Sequence, residues 1–120
     1  MDELRRNFKM ESILTSIKKL LGIDSEYTQF DQDITMHINS TFFTLNQLGV
    51  GPEKPVVIAD AMATWDASFG DVSNIEAIKS YVYLKVKMLF DPPTSSFVME
   101  SMKRQADEYE FRLQIQSESY

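Results

Sequence analysis

Apolar residues recur at helical spacing along most of this chain and predict a mainly α-helical protein. The first predicted helix spans about residues 11–21, and the second spans about residues 28–48. Gly22 and Gly49 follow these two helices directly. Glycine readily adopts the left-handed backbone conformation that ends a helix, so both helices should stop at these positions. The apolar face of the second helix is predicted to hold Phe30, Ile34, Ile38, Thr41, Phe42, Leu45 and Leu48.

The third predicted helix begins with a Ser-x-x-Glu sequence, in which Ser73 would cap the helix and Glu76 would reach back. It continues to about Phe90. Two apolar stripes lie roughly opposite each other on it, and a helix that is apolar on two sides is normally packed on both. The third helix should therefore be the centre of the domain. One stripe consists of Ile75, Ile78, Val82, Val86 and Leu89, and the other of Ala77, Tyr81, Leu84 and Met88.

Residues 49–72 lose the helical period and contain three glycines and two prolines. Two short runs typical of β-strands predict a small hairpin that pairs about residues 56–58 with residues 63–65. Trp65 and Phe69 would anchor this hairpin to the helices, because two strands alone are marginally stable in water. The expected fold is a small bundle of about four helices with a short β-hairpin insert between the second and third helices.

The sequence FDPPTSSF, residues 90–97, predicts a sharp corner between the third helix and a fourth helix at about residues 95–116. Proline lacks the backbone donor and disfavours the helical conformation of the residue before it, so the third helix must stop near Asp91. The hydroxyls that follow can cap a new helix. The corner comprises Asp91, Pro92, Pro93, Thr94 and Ser95.

Several apolar residues lie outside the stripes that should form the core. The main stripe of the fourth helix is Val98, Met102, Ala106, Tyr109 and Leu113, and Phe97, Phe111 and Ile115 lie off it. On the second helix, Met36 and Phe43 face away from the core. Each of these residues alone is consistent with ordinary surface exposure. Together they indicate subunit or partner surfaces, and the candidate interface residues are Met36, Phe43, Phe97, Phe111 and Ile115.

The composition restricts the possible functions further. The formal charge is −6, with 18 acidic and 12 basic residues, which argues against binding nucleic acid through its phosphates. There is no cysteine, and His37 is the only histidine, expected as a half-buried polar group on the second helix. No apolar run approaches the length of a membrane span. The residues therefore suggest no catalytic group, no cofactor, no metal site and no membrane contact.

Four stretches in order carry a family resemblance: ILTSIKKLLGI, YTQFDQDITMHINSTFFTLNQLGVGP, TWDASFGD and YVYLKVKMLFDPPTSSFVMESMKRQADEYEFRLQ. Together, over about residues 12–116, they resemble the small head–tail connector, or adaptor, proteins of long-tailed bacteriophages and prophages. The resemblance implies a helical subunit in a homo-oligomeric ring beneath the portal vertex, of about twelve subunits to match the portal. Its partners would be the portal protein and the next head-completion (stopper) or tail protein. Genome DNA would pass through without specific binding.

The resemblance also implies a location in the virion neck, after assembly in the host cytoplasm, and no enzymatic activity. A different hypothesis remains open, namely a small acidic helical regulator that binds another protein stoichiometrically.

The resemblance leaves out the ends of the chain. The expected organisation is an arm or upstream extension at residues 1–10, a helical connector domain at residues 11–116 and a tail at residues 117–120. Arg5 and Arg6 can be encoded by AGG-AGG, a ribosome-binding sequence, so translation could begin at Met10; an ordinary charged arm is the alternative.

Overall fold

The computed structural model describes residues 11–118, and five helices form in that range. They are α1 (Ile13–Leu20), α2 (Asp31–Gln47), α3 (Trp65–Phe69), α4 (Ile75–Phe90) and α5 (Ser96–Glu118). The mainly helical fold is confirmed, with one short helix more than predicted. The predicted arm at residues 1–10 and the end of the predicted tail at residues 119–120 lie outside the described residues.

α4 is the centre of the bundle and packs against α1, α2 and α5. Both of its predicted apolar stripes contribute to the core, through Ile78, Val82 and Val86 on one side and through Tyr81 and Leu84 on the other. Leu89 was assigned to the first stripe, but it is exposed. It lies in the last turn of α4, where the helix extends past the buried core.

The two predicted glycine stops are confirmed. Gly22 has φ 80° and Gly49 has φ 81°, both in the left-handed region. After Gly22, the Ile23 N–H donates to the carbonyl of Lys18 at 2.8 Å, and after Gly49, the Val50 N–H donates to the carbonyl of Leu45 at 2.9 Å. The same two carbonyls also accept from the N–H groups of Leu21 and Leu48, each at 3.1 Å, so they hold the chain in the turn that follows each helix.

The predicted capping box at Ser73 is wrong. α4 begins one residue later than that motif requires, with Asn74 at the cap position and no side-chain cap hydrogen bond. The Asn74 amide instead donates to Oε1 of Gln116 on α5 at 3.0 Å. Glu76 lies 3.5 Å from the ammonium of Lys79. A contact between the start of α4 and the end of α5 has therefore replaced the local cap.

The predicted β-hairpin is also wrong, since no strand forms within residues 11–118. Val56, Val57 and Ile58 have no regular secondary structure, and the backbone of Ile58 pairs with a side chain. Its N–H donates to Oδ1 of Asn39 at 2.8 Å, and its carbonyl accepts from Nδ2 of Asn39 at 2.9 Å. The Asn39 amide on α2 thus supplies the donor and the acceptor that a neighbouring strand would have offered.

The second half of the predicted hairpin pairs with the start of α1. Ser12 and Thr64 form one isolated antiparallel bridge. Trp65 then begins the short helix α3, whose cap is the Thr64 side chain. Trp65 and Phe69 are both buried against Phe42 of α2, with ring centroids 6.0 and 5.1 Å from it. The two aromatic residues therefore anchor this segment to the helices, as expected, although the segment is not a hairpin.

Lys18 is the most deeply buried charged residue in the described part of the chain, with only 2% of its surface exposed. Its ammonium donates to the carbonyls of Ser25 and Tyr27 at 3.1 and 2.7 Å and lies 2.7 Å from Oδ1 of Asp31. A buried charge is tolerated only when it is paired and hydrogen-bonded. Lys18 meets this requirement with three oxygens, and in doing so it ties the loop after α1 to the start of α2.

Replacing Lys18 with Met should lower the free energy of unfolding by about 2 kcal/mol, because Asp31 and two carbonyls lose their cation. The loss stays below that for a fully enclosed ion pair, since Asp31 is partly exposed. Chemical denaturation measures this difference. Lys19→Met is the matched control, because Lys19 is exposed and its replacement should change stability by less than about 0.5 kcal/mol. Equal effects of the two substitutions would contradict a structural role for the Lys18 ammonium.

Candidate interaction surfaces

The corner between α4 and α5 forms where the prolines predict it. α4 ends at Phe90, and Asp91 leaves the helical conformation with φ −143° and ψ 67°. The Asp91 N–H still donates to the carbonyl of Lys87, and the Asp91 carboxylate lies 2.7 Å from the Lys87 ammonium. This local pair holds the last turn of α4 closed immediately before Pro92.

The hydroxyl side of the corner starts α5. Ser95 Oγ accepts from the N–H of Val98 at 3.3 Å, and the Ser95 carbonyl accepts from the N–H of Met99 at 3.0 Å. Thr94 is exposed, and Pro93 is half-buried. Of the three candidate hydroxyl residues, Ser95 is the one that caps the helix, and the turn from one helix to the next takes five residues.

The inner side of α5 packs on α4 through Ala106 and Leu113, which are buried. Met102 and Tyr109 are half-buried beside them, as the predicted main stripe requires. Val98 was assigned to the same stripe but is exposed. The first turn of α5 lies next to the exposed last turn of α4, so the end of the bundle near the corner extends beyond the core.

One phenol is enclosed between α4 and α5. Tyr81 is completely buried, and Glu110 and Asp107 of α5 lie beside its hydroxyl. Burial is the main reason that the pKa of Tyr81 is raised well above its ordinary value, and the two carboxylates raise it further. Tyr81 therefore stays uncharged at any biological pH, and its ionisation does not disturb the contact between the two helices.

The five candidate interface residues are all on the outside of the described structure, with between 47% and 77% of their surface exposed. On α5, Phe97, Phe111 and Ile115 fall within about 40° of one another around the helix axis, at 100° per residue. Ala106 and Leu113 lie roughly opposite. We define the α5 outer face as the residues on this side of the helix, which are Phe97, Ser101, Arg104, Glu108, Phe111 and Ile115.

α2 has a similar surface on its outer side. Met36 and Phe43 lie about 20° apart around the helix axis and roughly opposite the buried residues of α2. We define the α2 outer face as Met36, Ser40, Phe43 and Gln47. No Lys or Arg occurs anywhere on α2. Their exposure agrees with the prediction that these side chains face away from the core. Contact with another molecule remains a proposal.

A third exposed apolar group was missed by sequence reasoning. Phe30 was assigned to the core face of α2, but it precedes the helix and is exposed. Its ring centroid lies 5.6 Å from that of Tyr27 and 5.3 Å from that of Phe90. The loop after α1 brings these rings together, and that loop is held by the buried Lys18. The apolar spacing of α2 continues back to Phe30, so the sequence predicted a helix from about residue 28, whereas the helix begins at Asp31.

A groove of about 750 Å³ lies between α1, α4 and α5. The Lys79 ammonium lies at its edge, 3.7 Å from a carboxylate oxygen of Glu11, 3.5 Å from one of Glu76 and 5.8 Å from the centre of the Trp65 ring. Opposite charges therefore compensate one another along the groove. Sequence reasoning did not find it, because its walls come from residues far apart in the chain.

Other candidate chemistry is limited. His37 is half-buried, and its backbone carbonyl accepts from Oγ1 of Thr41 at 2.9 Å. Among residues 11–118 there is no group of three or more His, Cys, Asp or Glu side chains placed to hold a metal ion. In the same range no helix has the length and apolar character needed to cross a membrane.

Comparison with known proteins identifies the family. A family model described as phage connector protein matches residues 13–120, from the first residue of α1 onward. No curated protein and no solved structure matches the chain. The family match covers nearly the whole chain and all five helices, so this protein belongs to the phage connector protein family.

Proposed function

We propose that this protein is a head–tail connector subunit that forms a ring beneath the portal vertex. The ring joins the DNA-filled head to the next completion protein and the tail, and it lines the channel through which the genome passes. Subunits assemble in the host cytoplasm and remain in the neck of the virion. Membership of the phage connector family supports a structural role in the virion.

The observation that carries the proposal is the pair of exposed apolar faces on α2 and α5. A ring subunit must contact two neighbours, and a connector must also contact proteins above and below it. The inner sides of α2 and α5 both pack against α4, so their outer sides face away from it and their apolar residues are exposed. Exposed aromatic and aliphatic side chains grouped on a helix face are typical of interaction sites.

The acidity of the chain suits a DNA channel. The net charge is −6, and a protein binds duplex DNA nonspecifically through clustered Lys and Arg. An acidic lining repels phosphates, so the genome passes without being retained.

The corner gives α5 its direction. With 23 residues, α5 is the longest of the described helices, and at 1.5 Å per residue it spans roughly 35 Å. The half-buried Pro93 and the Ser95 cap fix where this helix begins relative to α4. α5 then carries Phe97 near its start and Phe111 and Ile115 near its end, so a change in its direction would displace all three side chains together.

Replacing Phe111 with Glu and Ile115 with Lys should leave the subunit folded and prevent its incorporation into heads. The inner side of α5 is unchanged, while an unpaired charge in an apolar interface costs on the order of 2 kcal/mol or more per site. Circular dichroism measures the fold, and particle composition measures incorporation.

Gln114→Glu with Glu118→Lys is the matched control, since it places the same Glu and Lys four residues apart on another exposed side of α5. It should be incorporated normally. Normal incorporation of the Phe111 and Ile115 variant would contradict the interface. Loss of its helicity would assign the two residues to the core instead.

Replacing both Pro92 and Pro93 with Ala should yield a folded protein and defective particles. Without the prolines, the corner can sample helical conformations that change the angle between α4 and α5. Pro52→Ala with Pro55→Ala is the control, because it removes two exposed prolines from the segment between α2 and α3. The measurement is the fraction of filled heads that join tails. Normal joining by the corner variant would show that its direction is not essential.

A further inference from the structure

Both outer faces have the residue spacing of a helix–helix seam. On α2 the positions are 36, 40, 43 and 47, and on α5 they are 97, 101, 104, 108, 111 and 115. Alternating steps of four and three residues keep side chains on one stripe, along which a second helix can pack lengthwise at a crossing angle of about 20°. Each stripe has large apolar residues, and these are exposed on the surface of the described structure.

The two faces are different surfaces on different helices. α2 and α5 each turn their buried residues towards α4 and therefore point their outer faces away from it in different directions. Contacts between two different surfaces of identical subunits are head-to-tail, and they close into a ring when the rotation between subunits allows it. A face that paired with its own copy would give a closed dimer instead.

The apolar area is of the size that such a contact needs. With 150–250 Å² per large side chain, of which about 60% is exposed on average, the five residues together offer roughly 600 Å². A small specific interface buries about 1,200 Å² in total, a little more than half of it apolar. The two faces together therefore supply most of the apolar area of one such interface, whereas either face alone supplies much less.

The charges are complementary in one register. Asp33 is exposed one turn before Met36, and α2 contains no Lys or Arg. Arg104 is exposed at the middle of the α5 outer face. If the helices run parallel with Asp33 beside Arg104, Phe43 lies opposite the gap between Phe111 and Ile115. The same register thus pairs opposite charges and places the Phe43 ring level with Gln114, between the apolar side chains of Phe111 and Ile115.

We propose that the α2 outer face of one subunit packs against the α5 outer face of a second copy, in this parallel register. The proposal rests on the proposed function in that the connector ring is built from these head-to-tail contacts. It names the two surfaces that meet, and it assigns Asp33 and Arg104 as the charged pair that sets the register.

The absence of cysteine from the natural sequence allows a direct test by crosslinking. Ser40→Cys places a thiol on the α2 outer face, and Glu108→Cys places one on the α5 outer face. The two variants, carrying different tags, are mixed at high protein concentration with a thiol crosslinker that spans about one and a half helical turns. The mixture should yield about ten times more crosslinked dimer than either variant alone, because only the mixture brings unlike faces together.

Asp66→Cys mixed with Glu108→Cys is the control, since Asp66 is exposed on α3 and belongs to neither face. This mixture should stay at the background level. Crosslinking of Ser40→Cys or Glu108→Cys with itself would show a like-to-like contact and overturn the proposal, as would background crosslinking in the mixture of the two. Absence of the protein from the head–tail junction of particles would instead contradict the proposed function, whatever the crosslinking result.

Discussion

Burial of α4 on both of its apolar stripes is the constraint on which the rest of the structure depends. The chain has no disulfide to hold it together, so the core must come from packing alone. α4 presents Ile78 and Val82 on one side and Tyr81 and Leu84 on another, and neither side can be left in water at low cost. α1, α2 and α5 therefore collect around it. Once their inner faces are used in this way, the apolar residues on their outer faces remain exposed on the surface of the described fold.

This division of α2 and α5 into inner and outer faces links the fold to the function. The inner faces determine the stability of a subunit, and the outer faces are available for assembly. Substitutions at Phe111 or Met36 should therefore affect assembly, while substitutions at Leu113 or Ile38 should affect folding. A phage connector protein needs this separation, because a subunit has to fold before it assembles with other proteins. The fixed corner at Pro92 and Pro93 keeps the outer face of α5 in a constant position relative to α4.

The sequence predicted those features that depend on local periodicity and on strong local signals. The central position of α4, the stops at Gly22 and Gly49 and the proline corner all belong to this class. The hairpin failed because the run that ends at Ile58 found its partner in Asn39 on α2, nineteen residues earlier, which no strand propensity can reveal. The capping box failed because Asn74 reaches Gln116 on α5 instead.

Burial of charged residues also depends on contacts that local sequence patterns do not reveal. Lys18 and Lys19 are adjacent and chemically identical, yet one is buried and the other exposed. The difference arises from the loop that folds back to offer two carbonyls, and from Asp31 at the start of α2. Helical spacing alone placed Met36 and Phe43 away from the core stripe of the second helix, and Phe111 and Ile115 on one outer side of the fourth. Their exposure, and the helix bounds that bring Phe97 onto the same face, required the structure.

Cryo-electron microscopy of the neck in DNA-filled heads tests the central claim most directly. The account predicts a ring of this protein between the portal and the tail, in which α4 is enclosed within each subunit and the outer faces of α2 and α5 lie at the contacts between subunits. Density for the ring in which Met36, Phe43, Phe111 and Ile115 all remain exposed to solvent would contradict the assignment of these faces. Complete necks that lack this protein would contradict the connector function itself.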